Sequence, residues 1–573
     1  MTLRSFVTAA LILCGACIVP PSSQARDTAV IVPGPDARIM SDYLAGTYAR
    51  YLQDADAQSV FFQNIFDREP DNTEFGRLAL YSALFSGDQR LAKKTADKLY
   101  KADSSESMAR TILAVDAFSR GRTRRTSKFA TFTTSDVTMS LATRLILGWN
   151  SVDAGRYDEA RKTFGELGGS RYFDALGQLQ IAKLEARIGN VDAALAAFDS
   201  VEAMGLTGLE YNLSRARFDA KRGETALALD RLNGLIADNP AAEIGPIGDY
   251  IERLNAGRKL PRLSIRDEAA RAFTEPSFAF FVRNNSNEGG ELFLRIATWI
   301  EPDFARAKLW LADLIEETRP EATDATRKEL FGLYRSISER NPYYVNAKLG
   351  EANLYFDVED DDAAIRILED IAENHPSFYT RESLGRARFF RENWEEALPF
   401  YDALVESLSD EDLAVNPQPL RLRGIIYERL DRWAEAEVDF KRVLTFKADD
   451  ADTLNYLGYT WVDRGENLEE AFEMIEKAVA LEPDSGAITD SLGWAHYKLG
   501  NYKQAKFHLE NAVVLTPYSA TIIDHLGDAY WRLGRKREAQ YQWQRALEYD
   551  PTDDERDNIE LKLASGANAV PAE

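Results

Sequence analysis

Cysteine and histidine are nearly missing from this chain. Of 573 residues two are cysteine, Cys14 and Cys17, and four are histidine, His375, His496, His508 and His525. A Cys/His metal site therefore has almost no ligands to draw on. Because both cysteines fall near the start, no disulfide framework can staple the rest of the chain. Basic residues are outnumbered, 69 Lys and Arg against 93 Asp and Glu, and the net charge of -24 repels phosphate backbones, which argues against general nucleic-acid binding. Catalytic signatures are missing as well: there is no Gly-rich phosphate loop, no HExxH and no Gly-x-Ser-x-Gly elbow. The acidic run Glu359-Asp360-Asp361-Asp362 and the pair Asp449-Asp450 lack the spacing and glycine of a calcium loop and read as solvated turns. The expectation is a chain without catalysis, cofactor or metal. What is present, 45% hydrophobic and 28% charged residues, suits a folded protein with a large core and excludes global disorder, collagen and a multi-span membrane protein.

The first residues run MTLRSFVTAALILCGACIVPPSSQARD: one positive charge at Arg4, an apolar stretch from Phe6 to Val19, then prolines and small polar residues. This is the pattern of a secretory signal. The stretch falls short of the roughly 20 apolar residues that span a bilayer. Two processing routes are open. Ser23-Gln24-Ala25 offers small residues at the two positions a leader peptidase inspects, which predicts a signal peptide over 1–25 and a linker over 26–40. Gly15-Ala16-Cys17 resembles the end of a lipobox, with Cys14 where that motif usually has Leu, and makes Cys17 a candidate lipidation site. Both predict export to the periplasm of a bacterial envelope; the second adds a lipid anchor on the outer membrane.

An internal period dominates the remainder. Pro483, Pro517 and Pro551 are spaced by 34 residues, as are Ala471, Ala505 and Ala539, and Leu492-Gly493 recurs as Leu526-Gly527. Each unit carries apolar residues at three- and four-residue spacing on both sides of a short turn, Leu499-Gly500-Asn501 or Leu533-Gly534-Arg535, so each is a pair of amphipathic helices. Gly493 and Ala505 are small where the two helices of a pair cross closely. Pro517 cannot continue a helix and ends its unit.

These units resemble the tetratricopeptide repeat (TPR). The resemblance implies an all-α superhelical solenoid of helix-turn-helix repeats, about eleven clear ones plus degenerate ones, in which each repeat contacts mainly its neighbours. Walking backward, the template fits Gly458 with Ala471, Gly424 with Ala436, Gly385 with Ala397, Ala352 with Ala364 and Gly148 with Ala160, and Gly46 with Phe62 marks the earliest unit. Residues 71–140 read as two degenerate pairs. The expected organisation is an N-terminal array over 41–240, an irregular helical junction over 241–300 where prolines, glycines and asparagines break the period, a C-terminal array over 301–552, and a capping helix and tail over 553–573.

In the repeat family the first helix of each pair lines the concave face. Counting from the glycine as the eighth position, the last repeats place there Asn455, Tyr456 and Tyr459; Asp490, Trp494 and Tyr497; and Asp524, His525, Asp528, Trp531 and Arg532. Rings alternate with hydrogen-bonding groups, a composition that anchors peptides, although rings at these positions also pack between adjacent helices. The clamp that grips acidic peptide ends in some members needs Lys and Asn where this chain has Asp490, Asp524, Trp494 and Asp528, so that chemistry does not carry over. His525, beside Asp524, is either a pH-sensitive contact or a plain polar groove residue.

The run LNYLGYTWVDRGENLEEAFEMIEKAVALEPDSGAITDSLGWAHYKLG, followed by IIDHLGDAYWRLGR, resembles long TPR proteins of Gram-negative envelopes, a family that includes the lipoprotein adaptor of a carboxyl-terminal processing protease. The resemblance implies a non-catalytic periplasmic scaffold that holds protein partners in its groove, with a periplasmic protease and its substrates as candidates. The alternative is a scaffold for outer-membrane, pilus or exopolysaccharide assembly. A repeat-fused transferase would need a catalytic block that the sixty irregular residues are too few to supply.

Overall fold

In the computed structural model, which describes residues 35–239, 245–284, 287–319 and 323–565, helices follow one another and no strand occurs among the described residues. The leader with Cys14 and Cys17, the junction after Ala25 and the last residues of the tail lie outside them. Residues 35–40, expected as linker, begin the helix Pro35–Tyr51.

The helices pair as the period predicts. Helix Gly486–Lys498 is started by Ser485, whose hydroxyl accepts from Ile488 N, and helix Ala520–Arg532 by Ser519 in the same way. Their partners, Tyr502–Leu515 and Lys536–Ala546, return after turns in which Gly500 and Gly534 take φ of +78° and +77°, a left-handed backbone suited to a residue without Cβ. In the equivalent turns of earlier repeats Glu359, Glu392 and Asp431 hold φ near +60°, an unfavourable conformation for an L-residue.

Close crossing explains the small residues. A Cβ on Gly493 would lie 2.6 Å from Leu509 Cγ, and one on Gly527 2.5 Å from Trp543 Cδ1. Ala505, Ala512 and Ala539 are fully buried beside them. Large rings fill what remains: Trp149, Phe164, Phe198, Trp461 and Trp543 expose 1% or less, each worth roughly 1.5–3 kcal/mol of burial.

The contacts divide the chain into two units. The first takes the described residues up to Asp238 together with Asp249–Ile337. Its helix pairs run from Pro35–Tyr51 with Ala55–Arg68 to Leu209–Lys221 with Thr225–Asp238, and residues 71–140 supply two of them, Thr73–Phe85 with Gln89–Ala102 and Ser107–Ser119 with Thr123–Ala130. The second takes Ser338 onward with the short stretch that ends at Gly248. Its pairs run from Tyr344–Asp357 with Asp361–Asn374 to Ala520–Arg532 with Lys536–Ala546, followed by the helix Asp553–Ser565.

The irregular segment departs from a plain junction. Within the first unit it folds back across the first helices of the preceding repeats: helix Asn287–Ile300 packs on Thr73–Phe85 and Ser107–Ser119, and helix Ile265–Arg271 packs on Val137–Asp153. The pair Ala305–Thr318 and Asp324–Arg335, which periodicity alone groups with the C-terminal array, belongs to this unit too.

Candidate binding groove

In the second unit, first helices of neighbouring repeats pack on one another, Ala451–Arg464 on Gly486–Lys498 and that on Ala520–Arg532, and their remaining face is the candidate groove. Its residues separate into those turned to the fold and those turned outward.

Trp494 lies at the centre. Its indole is sandwiched between the His525 imidazole, centroids 4.0 Å apart at 18°, and the Tyr497 ring, 4.7 Å at 7°. With both faces covered and Nε1 buried without a hydrogen-bond partner among the described residues, it is a spacer between repeats rather than an open anchor. His525, from the next repeat, is buried, with Nδ1 3.0 and 3.1 Å from the two oxygens of buried Asp490. Burial alone would lower the His525 pKa, but the Asp490 carboxylate outweighs it and holds the proton above the usual histidine range.

Asp524 and Asp528 are met by the chain's own capping helix. Lys562 Nζ sits 2.6 Å from Asp524 Oδ2 and 2.8 Å from Asp528 Oδ2, while Trp543 Nε1 donates to Asp528 Oδ1 at 3.0 Å. Burial and the neighbouring Asp524 nevertheless push the Asp528 carboxyl up to about 6 against the pull of Lys562. Trp531 rests 5.4 Å from the buried Trp543 ring, with Lys536 Nζ 5.0 Å above it, and so closes the hairpin of its own repeat. Tyr456 is likewise turned to the fold: its ring packs 5.1 Å from Phe440 and its hydroxyl donates to Glu428.

Four of the expected residues leave polar groups or surface at the groove. Tyr459 is half-buried, its hydroxyl pKa raised by burial and by Asp463 and Asp490. Asn455 Oδ1 has no hydrogen-bond partner among the described residues. Tyr497 accepts from Arg532 Nε at 3.0 Å, and Arg532 itself is exposed. The structure adds Phe390, 73% exposed at the end of helix Phe378–Phe390, which a count of five from Gly385 would have found. The same count gives Arg429 and Lys498, and Lys498 pairs with Asp463 at 2.9 Å. Tyr497 with Arg532 beside it can hold a segment bearing apolar and acidic side chains.

The corresponding face of the first unit is filled. Glu210, 1% exposed, lies 3.1 Å from Lys183 and 2.5 Å from Arg306 of the returning segment, with Arg271 at 3.7 Å. Burial would raise its pKa, but the three cations outweigh it and hold the carboxyl well below the usual range. Arg295 donates to Phe85 O at 2.7 Å, Arg266 to Ser119 O at 2.9 Å, and Arg187 to Leu263 O at 3.0 Å. The first two of these bonds satisfy carbonyls at the ends of first helices, and the third runs the other way, from a first helix to the backbone of the returning segment.

Residues 147–205 and 520–553 match family profiles described as Tetratricopeptide repeat. Among curated proteins, the chain is 34% identical over 140 residues to the TPR repeat-containing protein PA4667 of Pseudomonas aeruginosa, a match covering 22% of this chain and 23% of that one. The chain thus spans less than a quarter of that relative's length. Among solved structures, the APC/C hetero-tetramer Cut9-Hcn1 aligns over 92% of this chain and 96% of that chain at 14% identity with a TM-score of 0.35. A tetratricopeptide repeat protein from Parabacteroides merdae aligns over 52% and 97% at 16% identity with a TM-score of 0.32. No helix among the described residues is long and apolar enough to cross a membrane.

Proposed function

This chain belongs to the tetratricopeptide repeat family, and on that premise we propose that it is a non-catalytic adaptor of the bacterial envelope that holds a segment of a partner protein in the groove of its second unit. The observation that carries this reading is the contrast between two faces built from equivalent helices. In the first unit the face is closed by residues 263–306 through buried ion pairs. In the second it keeps Phe390, Tyr459, Tyr497 and Arg532 at least partly open. The sequence resemblance over residues 420–550 supports presentation of substrates to an envelope protease as the task. The alternative, assembly of outer-membrane, pilus or exopolysaccharide machinery, uses the same groove.

Affinity capture from detergent-solubilised envelopes, with the full chain and with a Phe390→Ala, Arg532→Ala variant, tests the proposal. Both side chains are exposed, so the fold should tolerate the changes. A protease recovered with its substrates, and lost with the variant, is the expected result. An assembly complex would favour the alternative, cytosolic proteins alone would remove the envelope reading, and equal recovery with the variant would remove the groove.

A further inference from the structure

The two ends of the repeat series are treated differently. After the last pair, helix Asp553–Ser565 covers the end with Ile559, 1% exposed, and Lys562. At the first pair, helix Pro35–Tyr51 buries one side only. Gly46 and Ala49 face helix Ala55–Arg68, where a Cβ on Gly46 would touch the Phe62 ring at 3.0 Å. On the other side Met40, Leu44, Tyr48 and Tyr51 fall within a sector of about 80° at 100° per residue. They expose 60%, 62%, 63% and 73%, and Leu52 follows at the end of the helix at 49%. A soluble helix normally carries charge on such a face, and a terminal repeat normally ends in a polar cap. Here the side opposite the core is apolar for three turns.

We propose that this face is a dimer interface, covered by the same face of a second copy of the chain. Its neutrality favours a like partner over a charged one: the stripe residues carry no charge, and Asp42 and Arg50 of the same helix pair inside the chain with Arg68 and Glu288. A two-fold contact requires a patch that complements itself, which an uncharged stripe of Met, Leu and Tyr does. Its size fits as well. Five large side chains at these exposures offer on the order of 600 Å² per copy, so two copies bury about 1,200 Å², the lower edge of stable interfaces. The stripe runs along a single helix, so two copies pack as an antiparallel helix pair with Leu44, mid-stripe, nearest the axis.

Sedimentation or light scattering of the full chain at micromolar concentration should give twice the chain mass, and Leu44→Glu with Tyr48→Glu should return it to one chain without lowering the melting temperature. Val514→Glu, at an apolar side chain 77% exposed elsewhere, should leave the mass unchanged. In a Cys14→Ser, Cys17→Ser background, Leu44→Cys should form a covalent dimer on oxidation, a readout that does not depend on the charged variant. A wild-type chain that stays single, or a dimer that survives the double glutamate change, overturns the proposal.

Discussion

The Trp494 indole lies parallel to the His525 imidazole with ring centroids 4.0 Å apart, and its other face is covered by Tyr497 at 4.7 Å. Residues read from the sequence as ligand anchors are therefore bound first to one another. Trp494→Ala would remove both stacks and open a void between two first helices, at a cost of about 3 kcal/mol or more. Trp531→Ala would uncover Trp543 in the same manner. The pair of changes should lower the melting temperature of the last repeats, whereas Phe390→Ala and Arg532→Ala should leave it nearly unchanged. A normal melt for the double tryptophan variant, with capture lost, would mean that these rings serve the partner rather than the fold.

Two groups in this region make stability depend on pH with the same sign. His525 keeps its proton above the usual histidine range, because Asp490 outweighs burial, so its contribution is full below about pH 6.5 and disappears as pH rises through the folded value. Asp528 is pushed up to about 6 by burial and Asp524. The folded chain thus holds a proton that the unfolded chain releases near pH 4, and raising pH through about 6 again favours unfolding. Asp490, Asp524 and Lys562 complete the charges around them. Thermal melts should show the last repeats losing stability as pH rises from about 4 to 6, through Asp528, and losing more above about 6.5, through His525. His525→Gln should flatten the part of the slope above pH 6, and an unchanged slope would remove His525 from the effect.

Gly493→Leu tests the crossing that the 34-residue period marks. The added side chain starts 2.6 Å from Leu509 Cγ and 3.2 Å from Leu509 N, and a backbone atom cannot step aside as a side-chain tip can. Overpacking of this kind costs about 1–3 kcal/mol, often more where backbone must move. Circular dichroism should show partial loss of helix with an early transition. A single transition at the wild-type temperature would mean that the hairpin has slack there.

Gly493, Ala505 and Pro517 were legible because each acts within its own repeat: the reason for a small residue or a helix stop lies within about 34 positions. Trp494 and His525 were legible as occupants of first-helix positions, since that follows from counting one residue after Gly493 and two before Gly527. What they touch was not, because a ring at such a position can turn to the groove or to the next helix. The return of residues 249–337 across the first unit was least legible. Its contacts join Arg295 to Phe85 and Arg306 to Glu210, 210 and 96 residues apart, and no periodicity links them. Its chemistry is also that of buried charge, whereas pattern reading assigns charged residues to the surface. Lys562 escaped notice for the same reason, as a lysine in a terminal helix that inserts between two aspartates.

Glu210 offers the most direct test of that return. Its carboxylate neutralises Lys183 of helix Arg171–Ile188 and Arg306 of helix Ala305–Thr318, both nearly buried, and its backbone N–H donates to Glu275 at 3.3 Å. Glu275 is itself raised in pKa by burial and by Glu210, and Glu268 meets Lys183 at 3.0 Å, so the cluster holds three carboxyl groups that the surrounding cations keep compatible. Glu210→Ala leaves Lys183 and Arg306 facing each other without their shared counter-ion, and breaking a buried pair in this way costs about 3–5 kcal/mol. The strain is relieved most cheaply if the returning segment lifts off, because it brings Arg306 and Arg271 with it. Hydrogen exchange in the variant should therefore accelerate over residues 264–306 and over the facing ends of helices 171–188 and 209–221, while helix Ala520–Arg532 keeps its wild-type protection. Glu210→Gln, which retains a hydrogen-bond acceptor without the charge, should fall between the two. Uniform acceleration along the whole chain would show that the cluster supports global stability rather than holding this segment in place, and no acceleration would show that apolar packing of helix Asn287–Ile300 suffices without the ion pairs.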